Sequence, residues 1–528
     1  MNDKFKKYIA VLSKYEYYFF LLLTAINLLP LLLFESFPTV DGPAHLYNSR
    51  IIIELTTDNT SLLSDYFMFN QNINPNWSGH FILSSLMFLF PALIAEKILI
   101  IAYLIFLPLS FRFVFNKLKL KQTYIIYFIF PFTYSFLLYY GFYNFQLGLI
   151  FFFLAIGYWE KYLDSGFKLK KIWILITLSL LIFFSHLFIF MMLICVIGYL
   201  NLDLFLKLIK QKEEVGSLTI KSILLQFTIL LPGIILMLIY LWTHPTLEGK
   251  PNYLGYSELW TMLQEIQPAK GVSYGKESVF MKWVFIILSL ISAFLLIRRI
   301  RNKRVSINKK SASWLIISIS ILIGFFTLPD STAGSVGFVS SRMLLFFFLF
   351  YIIFLGSVNV PVWIKTVAFL TITYVNFALI KIYVKETKKV NQISHEIIQA
   401  SYKIKNYSTV LPINDNRHWI NGHISNYLGI DRPMIILENY EASLNHFPLI
   451  WNRNKSPYLH LGDSMKGSGF LYTNQNDSMK QIDYVFILSE GANDTIGNNE
   501  KQITTLLEKY YDLSYKSNEN IVRLYMKK

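Results

Sequence analysis

Cysteine is almost missing from this chain: Cys195 is the only one in 528 residues. It lies inside an apolar run, so no intrachain disulfide can brace the fold. Charge is also scarce, at 16% of residues, and acids are the rarer sign, 33 against 49 Lys and Arg. No small-residue cleavage site follows the apolar run Tyr17–Phe34, so that run is expected to remain as an anchor rather than to leave as a signal peptide. The net charge of +16 would suit a nucleic-acid partner. Its distribution excludes one, because Lys and Arg cluster between apolar runs, as topology signals do.

Apolar surface is what the chain has in excess. Hydrophobic residues make up 54% and aromatics 17%, and the mean hydropathy is +0.43. Runs of span length recur through the first three quarters, which predicts an all-α polytopic membrane bundle. Lys4, Lys6, Lys7 and Lys14 put the N-terminus in the cytoplasm under the positive-inside rule. The later basic clusters are Lys117/Lys119/Lys121, Lys161 with Lys168/Lys170/Lys171, Lys207/Lys210/Lys212 and Arg298–Arg304 with Lys309/Lys310. If all face inward, an even number of crossings separates each pair.

That parity makes His80–Phe90 a juxtamembrane or re-entrant helix and leaves Ala95–Phe115 as one span. It splits Ile172–Leu206 into two helices turning near Ser185-His186. Further spans are expected at Tyr124–Tyr140, Phe145–Tyr162, Ile220–Trp242, Val279–Ile297, Ser313–Leu328, Met343–Gly356 and Trp363–Tyr383. The total is about eleven transmembrane helices, with the C-terminus outside. Residues 1–384 thus form the membrane domain, with a large first outer loop over 35–96.

From residue 385 onward Asn, Ser, Asp and Lys become common and apolar runs shrink to strand length. Thr409–Ile413, Met434–Leu437, Tyr484–Leu488 and Ile521–Tyr525 read as strands and Asn499–Tyr510 as a helix. Residues 385–528 are expected to form a small extracytoplasmic α/β domain. This segment carries no zinc spacing, P-loop, Rossmann fingerprint or internal repeat.

The outer loops then hold the chemistry. Val40-Asp41-Gly42-Pro43-Ala44-His45 follows the first span directly. Pro43 suits the first turn of a helix with Asp41 or Gly42 at its cap, and the residues after it would lie along the bilayer surface. Arg342 opens an outward-facing helix end against the positive-inside bias, so a cation there calls for an anion. Each residue has a plainer alternative. Asp41 would only cap its helix, His45 would sit on a helix surface, His186 would bond a backbone carbonyl inside the bundle, and Arg342 would reach lipid headgroups.

Taken together, the first span, the Asp41-Gly42-Pro43 sequence, the large first outer loop, the many spans and the outer C-terminal domain resemble the GT-C superfamily of integral-membrane glycosyltransferases. The similarity is to the bacterial RgtA/B/C/D-like branch. It covers the membrane portion by architecture more than by motif, and the Trp-Trp-Asp signature of oligosaccharyltransferases is missing. It implies a sugar donor on polyprenyl phosphate, an acceptor hydroxyl on a glycan, lipid or protein, and Asp41 as the base. For that chemistry their charge and position make Arg342, His186 and Lys97 the candidates for the phosphate, and His45, Asn76, His80 and His244 those for the donor and acceptor pocket. Many members carry a second acid where Gly42 and Pro43 stand, so no metal or other cofactor is indicated. The composition suggests a bacterial inner membrane. Two readings from other classes compete: a transporter or flippase, which would place ionisable groups at mid-membrane depth, and a non-catalytic protein of envelope-polysaccharide assembly.

Overall fold

The computed structural model describes residues 3–58, 60–120, 123–165, 169–210, 217–244, 250–301, 309–332, 337–416, 418–452, 482–489, 505 and 507–528. It is mostly helical, and six of the described helices are long and apolar enough to cross a membrane. They contain the segments Tyr15–Leu32, Ala92–Lys117, Leu224–Thr243, Tyr274–Arg301, Val339–Ser357 and Val362–Ser401. Four shorter apolar helices, Tyr124–Tyr139, Lys171–Ser185, Leu187–Asp203 and Ser311–Thr327, fall below span length within the described residues. The Ser185–His186 break is where parity placed it, between helices Leu169–Ser185 and Leu187–Lys210.

Burial separates the helices into inner and outer. The Val339–Ser357 helix is apolar on every side, and 83% of its span is buried within the protein, as expected for a helix surrounded by others. Leu224–Thr243 and Tyr274–Arg301 are only 22% buried and present Leu231, Leu238, Trp283 and Leu290 outward, a surface suited to lipid.

One expected span is not a continuous α-helix. Thr123–Phe132 winds as a 3₁₀ helix containing Pro131 and is followed by a short α-helix, Phe136–Tyr139, capped by Ser135. Proline removes a backbone donor and clashes with the preceding turn. The aromatic side chains instead wedge into the centre, where Tyr127, Phe130, Tyr134 and Tyr139 are all buried.

Beyond the bundle stands a five-stranded sheet in the order Ile435–Ile436, Thr409–Asn414, Tyr484–Leu488, Val522–Lys527, Tyr511–Lys516. The first three strands are parallel, and the last two join them antiparallel. All four strand expectations fall on observed strands, whereas most of the expected Asn499–Tyr510 helix lies outside the described residues. Helix Val362–Ser401 runs without interruption through the boundary drawn at 384/385.

The helix Gly42–Thr57 does not lie along a bilayer surface. Gly42–Ser49 and Ile51–Ile53 are buried, and the helix is enclosed between the bundle and the sheet domain. Tyr47 shows why. Its hydroxyl donates to the Met434 carbonyl at 2.9 Å and accepts from the Ile436 N–H at 2.9 Å, which fixes it against the edge strand. A second seam joins the same parts, where Phe67–Phe69 pairs antiparallel with Leu449–Trp451 and Phe67 stacks on Trp451 at 4.4 Å. The apolar residues after Pro43 face protein, so their pattern did not distinguish burial from an interfacial helix.

Candidate functional site

Asp41 occupies the N-cap position of helix Gly42–Thr57, but its side chain makes no capping hydrogen bond. Thr39 performs that role, its Oγ1 accepting from the Gly42 N–H at 3.0 Å. The Asp41 carboxyl is thereby left for other contacts. It is 5% exposed, with His423 Nε2 at 3.9 Å and the Tyr440 hydroxyl nearby but not aligned as a hydrogen bond. Burial pushes its pKa up to about 6, against the opposing charges of His423 and His45.

The backbone that presents Asp41 depends on Gly141. Val40 and Asp41 donate to the carbonyls of Tyr139 and Tyr140, both at 3.0 Å. Gly141 has φ +93°, and a Cβ there would stand 2.7 Å from the Asp41 nitrogen. Only glycine combines that conformation with so close an approach. Its carbonyl also accepts from His45 Nε2 at 2.9 Å.

The C-terminal domain completes the site through the segment Glu438–Phe447. Glu438 binds His423 Nδ1 at 2.7 Å and accepts from Asn426 at 2.6 Å, while the His423 ring stacks on Tyr440 at 4.2 Å. Burial opposes charge on His423, but Glu438 and then Asp41 outweigh it and raise its pKa to about 9. Glu441 lies between two imidazoles, 2.6 Å from His45 Nδ1 and 2.7 Å from His80 Nε2. Burial would raise its pKa, yet those two histidines hold it down at about 2. His45, His80 and Glu441 are all buried, and their candidate ligand atoms lie within 4.8 Å of one another.

Two other expected pocket residues reach the same segment. Asn76 Nδ2 donates to the His446 carbonyl at 3.3 Å, and His244 Nε2 to the Asn445 carbonyl at 3.0 Å. His446 is held neutral, burial first and then the His244 and Arg342 charges pushing it down to about 4 despite Glu441.

Arg342 sits on the central helix, 8% exposed, so it does not reach for lipid headgroups. Its guanidinium is boxed by the rings of Phe142, Phe145 and Phe188 at 5.1, 5.7 and 6.0 Å, and its Nε has no hydrogen-bond partner. Its charge acts on both His186 and His446. His186 meets Phe145, one of the rings around Arg342, edge to face at 5.2 Å, and its Nδ1 accepts from the Phe188 N–H at 3.2 Å. Lys97 is placed elsewhere, with its amine on the Phe34 carbonyl.

Sequence reasoning missed His423, Glu438, Tyr440, Glu441 and His446, all supplied by the C-terminal domain. It also indicated no metal set, whereas His45, His80 and Glu441 converge in the manner of one. One signal was available. It lay in the histidines only as candidates: five of the nine (His45, His80, His186, His244 and His423) lie around the Glu438–Phe447 segment and His446 lies within it, a convergence that the fold alone creates.

No protein-family model matches this chain, and no curated protein matches it.

Proposed function

We propose that this protein is an inverting membrane glycosyltransferase that moves a sugar from polyprenyl phosphate to an acceptor hydroxyl, with Asp41 as the base. The observation that carries the reading is the Asp41 carboxyl itself: at a helix cap it does not cap, in a buried polar site assembled from three distant parts of the chain. A carboxyl near pKa 6 is a stronger base than an ordinary aspartate and is still ionised at neutral pH.

In the proposed step the acceptor oxygen attacks the anomeric carbon as Asp41 takes its proton. The bond from that carbon to the phosphate oxygen breaks, and its electron pair leaves with polyprenyl phosphate. A phosphate monoester has a second pKa of about 6, so it departs as an anion without a general acid. That economy separates the reaction from glycoside hydrolysis, which needs two carboxyl groups. Arg342 is the cation for the leaving phosphate, because its Nε is unpartnered and a guanidinium can grip phosphate through two parallel bonds. His186 and His446 stand beside it as further hydrogen-bonding groups.

In this reading the four shorter apolar helices and helix Tyr143–Ser165 are further crossings, about eleven in all. The C-terminal domain and the Asp41 site then lie on the extracytoplasmic side of a bacterial inner membrane. A second reading is favoured by the closure of the site: Asp41 would be a structural lock between the bundle and the sheet domain. Membranes containing the protein, supplied with a polyprenyl-phosphate sugar and acceptor, separate the two. Transfer with inversion at the anomeric carbon and release of polyprenyl phosphate supports the enzyme. Absence of both across the available donors and acceptors leaves the lock.

A further inference from the structure

His45 Nε2 lies 2.9 Å from the Gly141 carbonyl, which can only accept, so Nε2 carries a proton. In the neutral ring Nδ1 is then a lone pair. It points at the Glu441 Oε1 lone pairs from 2.6 Å, and neither atom has an aligned hydrogen-bond partner. Two acceptors do not rest at that distance unless a positive charge lies between them, either a second proton on the His45 ring or a metal ion, and the poor alignment disfavours the proton. The other carboxylate oxygen takes His80 Nε2 at 2.7 Å, and the two imidazoles meet edge to face at 5.1 Å between centroids. All three side chains are at least nine-tenths buried, and Phe447 walls both rings at 6.3 and 6.0 Å.

We infer that His45 Nδ1, His80 Nε2 and the Glu441 carboxylate form a site for one divalent first-row transition ion, Zn²⁺ fitting best. Two imidazoles and a carboxylate are a zinc donor set that leaves a fourth position for water. The bond from His45 Nε2 to the Gly141 carbonyl is the outer contact that orients a ligating histidine. His80 lacks that support, since its Nδ1 is buried without a partner. Ligands at about 2.1 Å in a tetrahedron stand roughly 3.4 Å apart, so the Glu441 side chain must withdraw by less than an ångström from each close contact, while the set, now within 4.8 Å, draws together around the ion. The ligands come from helix Gly42–Thr57, helix Ser78–Met87 and the turn Glu441–Ser443. The ion therefore fastens the C-terminal domain to the two helices that follow the first span. This role is independent of the transferase reading, and none of its tests uses sugar transfer.

The full-length protein in detergent, stripped with chelator and titrated with Co²⁺, tests the site. The inference expects one equivalent to bind with the intense visible absorption of a low-coordinate nitrogen–oxygen site. It expects Zn²⁺ to displace the Co²⁺ and to raise the melting temperature by several degrees. His80→Ala and Glu441→Gln should each abolish the absorption, while His395→Ala, which removes an exposed histidine paired with Glu35, should keep it. If stripped wild-type protein shows only the weak spectrum of aqueous Co²⁺ and no Zn²⁺-dependent melting shift, the inference is overturned. Retention of the strong absorption by folded Glu441→Gln protein overturns it equally. Should either variant fail to fold, the wild-type titration decides.

Discussion

Asn48 and Asn439 exchange two side-chain hydrogen bonds, 3.1 Å from the Asn48 amide and 2.8 Å in return, although 391 residues separate them. Both are 1% exposed. The reciprocal pair satisfies two buried amides at once and fixes the helix that begins behind Asp41 against the segment carrying Glu441. Replacing Asn48 by Ala leaves the Asn439 amide without its partner, a loss of about 1–3 kcal/mol. Denaturant or thermal unfolding of Asn48→Ala, Asn439→Ala and the double variant should give a double-mutant cost well below the sum of the singles. Full additivity would mean that the pair does not act as a unit.

Gly141 is expected to be intolerant of any side chain. Gly141→Ala places a Cβ against the Asp41 and Gly42 nitrogens in a left-handed conformation, and the strain should exceed roughly 2 kcal/mol. Gly198→Ala is the control, since a Cβ there meets nothing within 4 Å. Comparison of their melting temperatures should show a large drop for the first and little change for the second.

Arg342 illustrates a residue whose contribution to function and to stability should have opposite signs. A buried guanidinium with an unpartnered Nε is costly to hold. Arg342→Met should therefore melt no lower than the wild type, yet lower the rate of sugar transfer about 10²-fold if the cation meets the leaving phosphate. A variant that transfers at the normal rate would remove Arg342 from the phosphate role.

Acid stability should involve Glu265. Burial would raise its pKa, but Lys270 at 2.5 Å, Lys282 at 3.1 Å and Ser278 at 2.9 Å outweigh it and hold it at about 2. A carboxyl whose folded pKa is depressed stabilises the fold above its unfolded value and loses that contribution as pH falls through the folded one. Between about pH 4.5 and pH 2 the wild type should lose stability more steeply than Glu265→Gln. Parallel melting curves across that window would contradict the assignment.

Much of the fold could be read from the sequence because its strongest signals are physical and local. Long apolar runs gave the bundle, and the break at Ser185–His186 was legible from the basic flanks of Ile172–Leu206 and the polar pair within it. Four short apolar stretches gave the strands. The surface helix after Pro43 was misread because a buried helix and an interfacial one can share the same apolar pattern; the difference lay in Tyr47 and Asn48, whose partners are hundreds of residues away. The expected span at Tyr124–Tyr140 begins as a 3₁₀ helix rather than a continuous α-helix, because Pro131 sits where the apolar average cannot register it. In the site, Asp41, His45, His80 and Arg342 could be picked out by their position beside spans. His423, Glu438 and Glu441 could not, because they lie in an ordinary polar stretch and acquire their surroundings only when the sheet domain docks.

The most direct test is sugar transfer from polyprenyl phosphate by Asp41→Asn, measured beside its melting temperature. Asparagine keeps the shape and cannot take the proton. Turnover should fall by at least about 10²-fold, the scale of a general base, with an unchanged melting temperature and donor still bound. Turnover near the wild-type rate, or a fall explained wholly by unfolding, would contradict it.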